Sequence, residues 1–133
     1  MSTDVKSITE PQDIFDTVVK HLFTQGKPAM DDGTCMYRGP DGAKCAVGVL
    51  IADDEYRHGF EFRELPDLLS LIDGTPLERR LSKNLRLLRD LQAAHDTRDN
   101  RTQEGRFDLQ ALERDLFTIA HRHDLEYNQP LVA

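Results

Sequence analysis

The run Thr75-Pro76-Leu77-Glu78-Arg79-Arg80-Leu81-Ser82-Lys83-Asn84-Leu85-Arg86-Leu87-Leu88-Arg89-Asp90-Leu91-Gln92-Ala93-Ala94-His95 decides the fold. Thr75 and Glu78 make a capping box, and Pro76 stands at the first helical position, where its missing N–H forfeits nothing. Leu77, Leu81, Leu85, Leu88 and Leu91 recur at helical steps, which predicts one long helix over about 76–95. His95 follows Leu91 by four residues and is carried inward on the same face. Arg79, Arg80, Lys83, Arg86 and Arg89 fall on the other side, giving a basic outer face.

Upstream of this run, Glu64-Leu65-Pro66 opens a short helical stretch through Leu68, Leu69 and Ile72, and Gly74 stops it. Downstream, Thr97 to Gly105 is polar and reads as a loop, after which Asp108 caps a last helix with Leu109, Leu112, Leu116, Ile119, Ala120 and His123 inward. Asn128 and Pro130 mark a frayed end. Near the start, Thr9-Glu10-Pro11-Gln12 is a helix-start signal with Thr9 as cap, and Ile14, Phe15, Val18, Val19, Leu22 and Phe23 follow on one face until Gly26 and Pro28. Gly39-Pro40-Asp41-Gly42 is a strong turn and predicts a small β-hairpin closed by Gly39 and Ala43, with Cys45 opposite Tyr37. The apolar run Cys45 to Ile51 is read as a short helix rather than a strand. The expected fold is α+β and mainly α-helical: an N-terminal helix, a hairpin, short helices, and two long C-terminal helices on one core. Residues 1–8 are expected to be loose, 9–127 to form one globular domain and 128–133 to fray.

The 133 residues suffice for one domain and its core without disulfide or metal support. Hydrophobic residues make up 38% and charged residues 31%, no apolar stretch reaches spanning length, and no secretory leader pattern opens the chain. A cytoplasmic protein without membrane contact is expected. The formal charge of −7 argues against direct nucleic-acid binding. That excess is spread over the chain, ten acids against six bases in residues 1–60 and fourteen against eleven in 61–133, so there is no acidic tail.

Cys35-Met36-Tyr37-Arg38-Gly39-Pro40-Asp41-Gly42-Ala43-Lys44-Cys45-Ala46-Val47-Gly48-Val49-Leu50-Ile51, followed by Leu88-x-x-Leu91-Gln92-x-x-His95-Asp96, resembles a family of small, functionally unassigned proteins common in bacteriophages and prophages. The resemblance spans most of the chain and rests on a Tyr-Arg-Gly-Pro turn, a Cys-Ala-Val-Gly segment and a Leu-Gln-x-x-His-Asp segment in order. It implies a phage or mobile-element setting. Small accessory proteins there act by binding and redirecting a host protein, host defence complexes included.

Two functional classes follow. The first is a stoichiometric binding protein whose partner is a host protein, contacted through the exposed turn and nearby acids: Tyr37, Arg38, Asp41, Asp53, Asp54 and Glu55. Tyr and Arg are frequent interface anchors, although Tyr37 packed on the core is an equal reading. The alternative is a small cysteine-dependent enzyme: Cys45 at a helix N-terminus as nucleophile, His95 as base, Asp96 beside it. Against it, a Cys before Ala-Val-Gly-Val-Leu-Ile is most simply a buried apolar residue. No metal site and no cofactor are predicted. Cys35 and Cys45 make no knuckle, the histidines come from separate elements, and no phosphate-cradling glycine loop is present.

Overall fold

The computed structural model describes residues 4–132. Their architecture is mainly helical α+β. In chain order they form α1 (Pro11–Gln25), β1 (Met30–Asp31), β2 (Thr34–Cys35), α2 (Leu65–Leu71), α3 (Pro76–Lys83), α4 (Leu85–Asp96) and α5 (Leu109–Arg122), with short 3₁₀ turns between them. The capping signals act largely as read. Thr75 accepts from the Glu78 amide at 3.1 Å, and Asp108 from the Ala111 amide at 3.1 Å. Gly26, at φ 72°, closes α1 with its N–H on the Leu22 carbonyl. Thr9 does not cap α1; Glu10 holds that position without a side-chain bond, and the Thr9 carbonyl serves another helix.

That helix is the corrected one. The predicted single helix over 76–95 is two, broken at Asn84, whose backbone leaves helical geometry at φ −121° and ψ 31°. The break lets the buried Asn84 amide donate to the Thr9 carbonyl at 2.9 Å. It also shifts the phase: Leu77 and Leu81 are buried in α3, but in α4 the buried set is Leu87, Leu88, Leu91, Ala94 and His95, leaving Leu85 at the margin. Arg80 is likewise not on an outer face. Its side chain is 9% exposed and meets Glu55 with two hydrogen bonds of 2.9 Å.

The strand pair lies earlier than the predicted hairpin. Asp32 and Gly33 both take positive φ, 51° and 80°, and turn β1 onto β2 with Met30 opposite Cys35 and Asp31 opposite Thr34. Around Pro40-Asp41-Gly42 the expected register does form, with Gly39 N–H on the Ala43 carbonyl at 2.8 Å and Cys45 N–H on the Tyr37 carbonyl at 3.2 Å. It stops at a lone Arg38–Lys44 bridge, because the chain after Cys45 coils at once into a helical turn ending at Leu50. There Gly48 lies so near Tyr37 that a Cβ would sit 2.0 Å from its carbonyl oxygen.

α4 is the central element, with α1, α3 and α5 packed against it, and the buried side chains of all helices join one core. Contacts to the core and between the ends involve residues on both sides of the 9 and 127 boundaries. Ile8 is buried after a 3₁₀ turn at Val5–Ser7, and Gln12 and Glu126 exchange two hydrogen bonds of 2.9 Å. The Glu113 carboxylate takes Tyr127 Oη–H at 2.8 Å and the Val132 amide at 3.1 Å, which joins the tail to α5. Residues 1–3 and 133 of the predicted loose ends lie outside the described residues.

Candidate functional site

A groove of about 470 Å³ runs between α4, the start of α2 and the segment from Thr34 to Tyr37, with both cysteines in its wall. Behind its near rim lies Glu61, next to the lining residue Phe62. The carboxylate of this buried residue accepts from the Tyr37 amide at 2.8 Å, the Arg38 amide at 3.0 Å and the Tyr56 hydroxyl at 2.5 Å. The two turn amides on this carboxylate fasten the 58–64 loop to the 37–45 turn, and Tyr56 adds a third donor. The next residue, Phe62, is turned outward on a left-handed backbone, φ 63°, and is 79% exposed at the groove edge. A bulky residue at such a φ costs on the order of 1 kcal/mol or more. On the far side Gln92 joins the walls, accepting from the Val47 amide at 3.0 Å and donating to Asp96 at 2.8 Å.

Cys45 stands in this wall, 1% exposed. Burial pushes its thiol up to about 12, and the Gly48 amide, donating to Sγ at 3.2 Å, offsets only part of that. The short helix expected after it is a single 3₁₀ turn, Gly48–Leu50. His95 is fully buried and has no lone pair to lend. The Ala29 amide donates to its Nε2 at 2.9 Å, which places the ring proton on Nδ1, and Nδ1–H donates to Asp96 Oδ1 at 2.7 Å. The inward-facing His95 is thus held from one side by a backbone amide and from the other by a carboxylate. Burial opposes charge on Asp96, yet the His95 hydrogen bond holds its carboxyl below the usual range. As arranged, His95 has no free nitrogen with which to take a proton from Cys45.

It is Cys35 that closes on the pair. One ligand atom each of Cys35, His95 and Asp96 lie within 4.8 Å of one another, the one such group among the described residues. Burial and the Asp96 charge raise the Cys35 thiol, while Arg101 donates to Sγ at 3.5 Å and also to the Asp96 carbonyl. The donor set does not suit a cation. With Nε2 capped by an amide, a metal on Nδ1 would need an imidazolate, and a guanidinium already occupies the thiol.

The residues read as contacts serve the fold first. Tyr37 is buried, lines the groove and donates its hydroxyl to the Arg63 carbonyl at 2.6 Å. Arg38 lies over the Tyr56 ring at 4.6 Å, donates to the Ile51 carbonyl at 2.9 Å and pairs with Asp53 at 2.9 Å. Asp54 pairs with Lys6 at 2.7 Å, and Glu55 with Arg80. Asp41 is exposed at the tip of its turn, at φ 60°.

Sequence reasoning missed Phe62, Arg89 and Gln92 as groove residues and Glu61 as the clamp beside them. Gln92 lay inside a quoted segment, and an amide side chain one helical turn before Asp96 was a usable signal. Phe62 had none, since nothing local to Phe60-Glu61-Phe62-Arg63 requires a left-handed Phe. Comparison with protein-family models, with curated proteins and with solved structures finds no match to this chain.

Proposed function

We propose that the protein acts by stoichiometric binding to a host protein in the cytoplasm, as a phage or prophage accessory protein, and not by turnover. The observation that carries this reading is Phe62: an aromatic side chain 79% exposed, on a left-handed backbone fixed by the Glu61 clamp, at the rim of a groove. Strain held in place by three hydrogen bonds is a feature of recognition sites, and large exposed aromatics anchor interfaces. The cysteine-enzyme alternative has less support. Cys45 is buried with a raised thiol, and both nitrogens of His95 are engaged.

The test is capture from host lysate with the tagged protein, identification of what is retained, and calorimetry with the purified partner. A stoichiometry of one to one, lost in Phe62→Ala and kept in Arg114→Ala on the exposed face of α5, is expected. A partner that binds Phe62→Ala as well as wild type removes the site. No stoichiometric partner, or one consumed as a substrate, overturns the reading.

A further inference from the structure

Resting on that reading of the groove, we propose that it takes an extended segment of the partner, with a carboxylate against Arg89 and an apolar side chain against Phe62. Charge carries the first half. Arg89, Gln92 and Asp96 line the groove from one face of α4, and at 1.5 Å rise per residue Arg89 and Asp96 stand about 10 Å apart along the axis. Arg89 is exposed and enters no ion pair among the described residues, and so is Arg86 one turn before it. Of the two guanidiniums that line the groove, Arg63 pairs with Asp67 at 3.2 Å, which leaves Arg89 as the lining cation without an ion pair among the described residues. Guanidinium recognises carboxylate through paired N–H donors. The Asp96 carboxylate, hydrogen-bonded to a neutral imidazole, keeps its negative charge at the other end. It repels a carboxylate there and fixes the direction in which an acidic segment lies.

Backbone carries the second half. The Met36 amide donates to the Ala29 carbonyl at 2.9 Å, so alternation along the ladder makes Met30 and Cys35 the pair without mutual hydrogen bonds. The N–H and C=O of Cys35 therefore point away from β1. Thr34 and Cys35 are in the groove wall, which offers an extended peptide a strand edge to pair with. Such a peptide advances about 3.3 Å per residue, so about three residues span the stretch from Arg89 to Asp96.

The experiment is selection of random nine-residue peptides displayed on beads, followed by fluorescence polarisation with labelled winners. Wild type should enrich Asp or Glu together with Leu, Ile or Phe in the same nonapeptide. Arg89→Glu should weaken the selected peptide at least tenfold and bind its Lys-substituted version better than wild type does. Phe62→Ala, and N-methylation of the central peptide amide, should each cost at least tenfold. Circular dichroism melts establish that both variants are folded. No enrichment over empty beads, a selected motif without a carboxylate, or affinities indifferent to Arg89→Glu overturn the proposal. A whole partner that fails on Phe62→Ala but binds Arg89→Glu normally rejects the acidic segment while leaving stoichiometric binding intact.

Discussion

At Cys45 two influences compete over the thiol, and burial outweighs the single amide that would stabilise a thiolate. Iodoacetamide at pH 8 should therefore modify Cys45 no faster than the protein opens, with the rate rising in step with added urea. Fast labelling of the native protein that ends on His95→Ala would restore the cysteine-enzyme reading. Three residues along, Gly48 has no room for a methyl group beside the Tyr37 carbonyl, whereas a Cβ at Gly59 meets nothing within 4 Å. Urea denaturation should show Gly48→Ala losing about 1–3 kcal/mol, with Gly59→Ala much the smaller loss. Arg80→Met strands the Glu55 carboxylate in a mostly buried site and should cost about 3 kcal/mol, against little for the exposed Arg86→Met. Equal effects of the two Arg substitutions would place Arg80 back on the surface.

Among the elements, the joint between α3 and α4 makes the sharpest difference to phase. One continuous helix would bury Leu85 with Leu81 and Leu88, but the break at Asn84 leaves Leu85 at the margin and sends Leu88 fully inside. Leu88→Ala should cost about 2–5 kcal/mol and Leu85→Ala distinctly less, and losses of the same size would mean an unbroken helix. The helices themselves were legible in the sequence because periodicity and caps are written within a few residues: Thr75 and Asp108 cap where they were read, and Leu112, Leu116 and Ile119 are buried. The break was not, since its polar partner, the Thr9 carbonyl, is 75 residues away along the chain. Nor was the choice between turns. Asp32-Gly33 and Pro40-Asp41-Gly42 are both good turn sequences, and only the coil after Cys45 denies the second its ladder. Burial of Cys45 was readable from its apolar neighbours, but Glu61 and Phe62 become a site through contacts with Tyr37 and Arg38 that no local pattern announces.

For the molecule as a whole, stability should depend on pH in two separate steps. Burial lowers the affinity of His21 for a proton, although its bond to the Lys44 carbonyl at 2.9 Å works the other way. The unfolded chain accepts that proton near pH 6.5 and the folded chain resists it, so the unfolded state binds more protons and stability falls as pH drops below about 7. Glu55 and Asp96 act in the same direction but lower. At Glu55 the Arg80 hydrogen bond outweighs burial, and at Asp96 burial is the largest single influence but His95, Cys35 and Gln92 together outweigh it, so the stabilisation from these depressed carboxyls is lost only below their unfolded values, near pH 4. Urea midpoints should fall between pH 7.5 and 5.5 in wild type and be flatter in His21→Gln; midpoints identical in the two proteins would remove His21 from the account. A further consequence follows from the Ala29 amide, which lies outside every helix and strand yet donates to a fully buried imidazole. In deuterium oxide a loop amide ordinarily exchanges in the first seconds to minutes, but this one has no local opening that would expose it without moving α4. Its hydrogen should persist as long as those of the α4 interior, making it an isotopic clock for global unfolding set in the middle of a connecting loop.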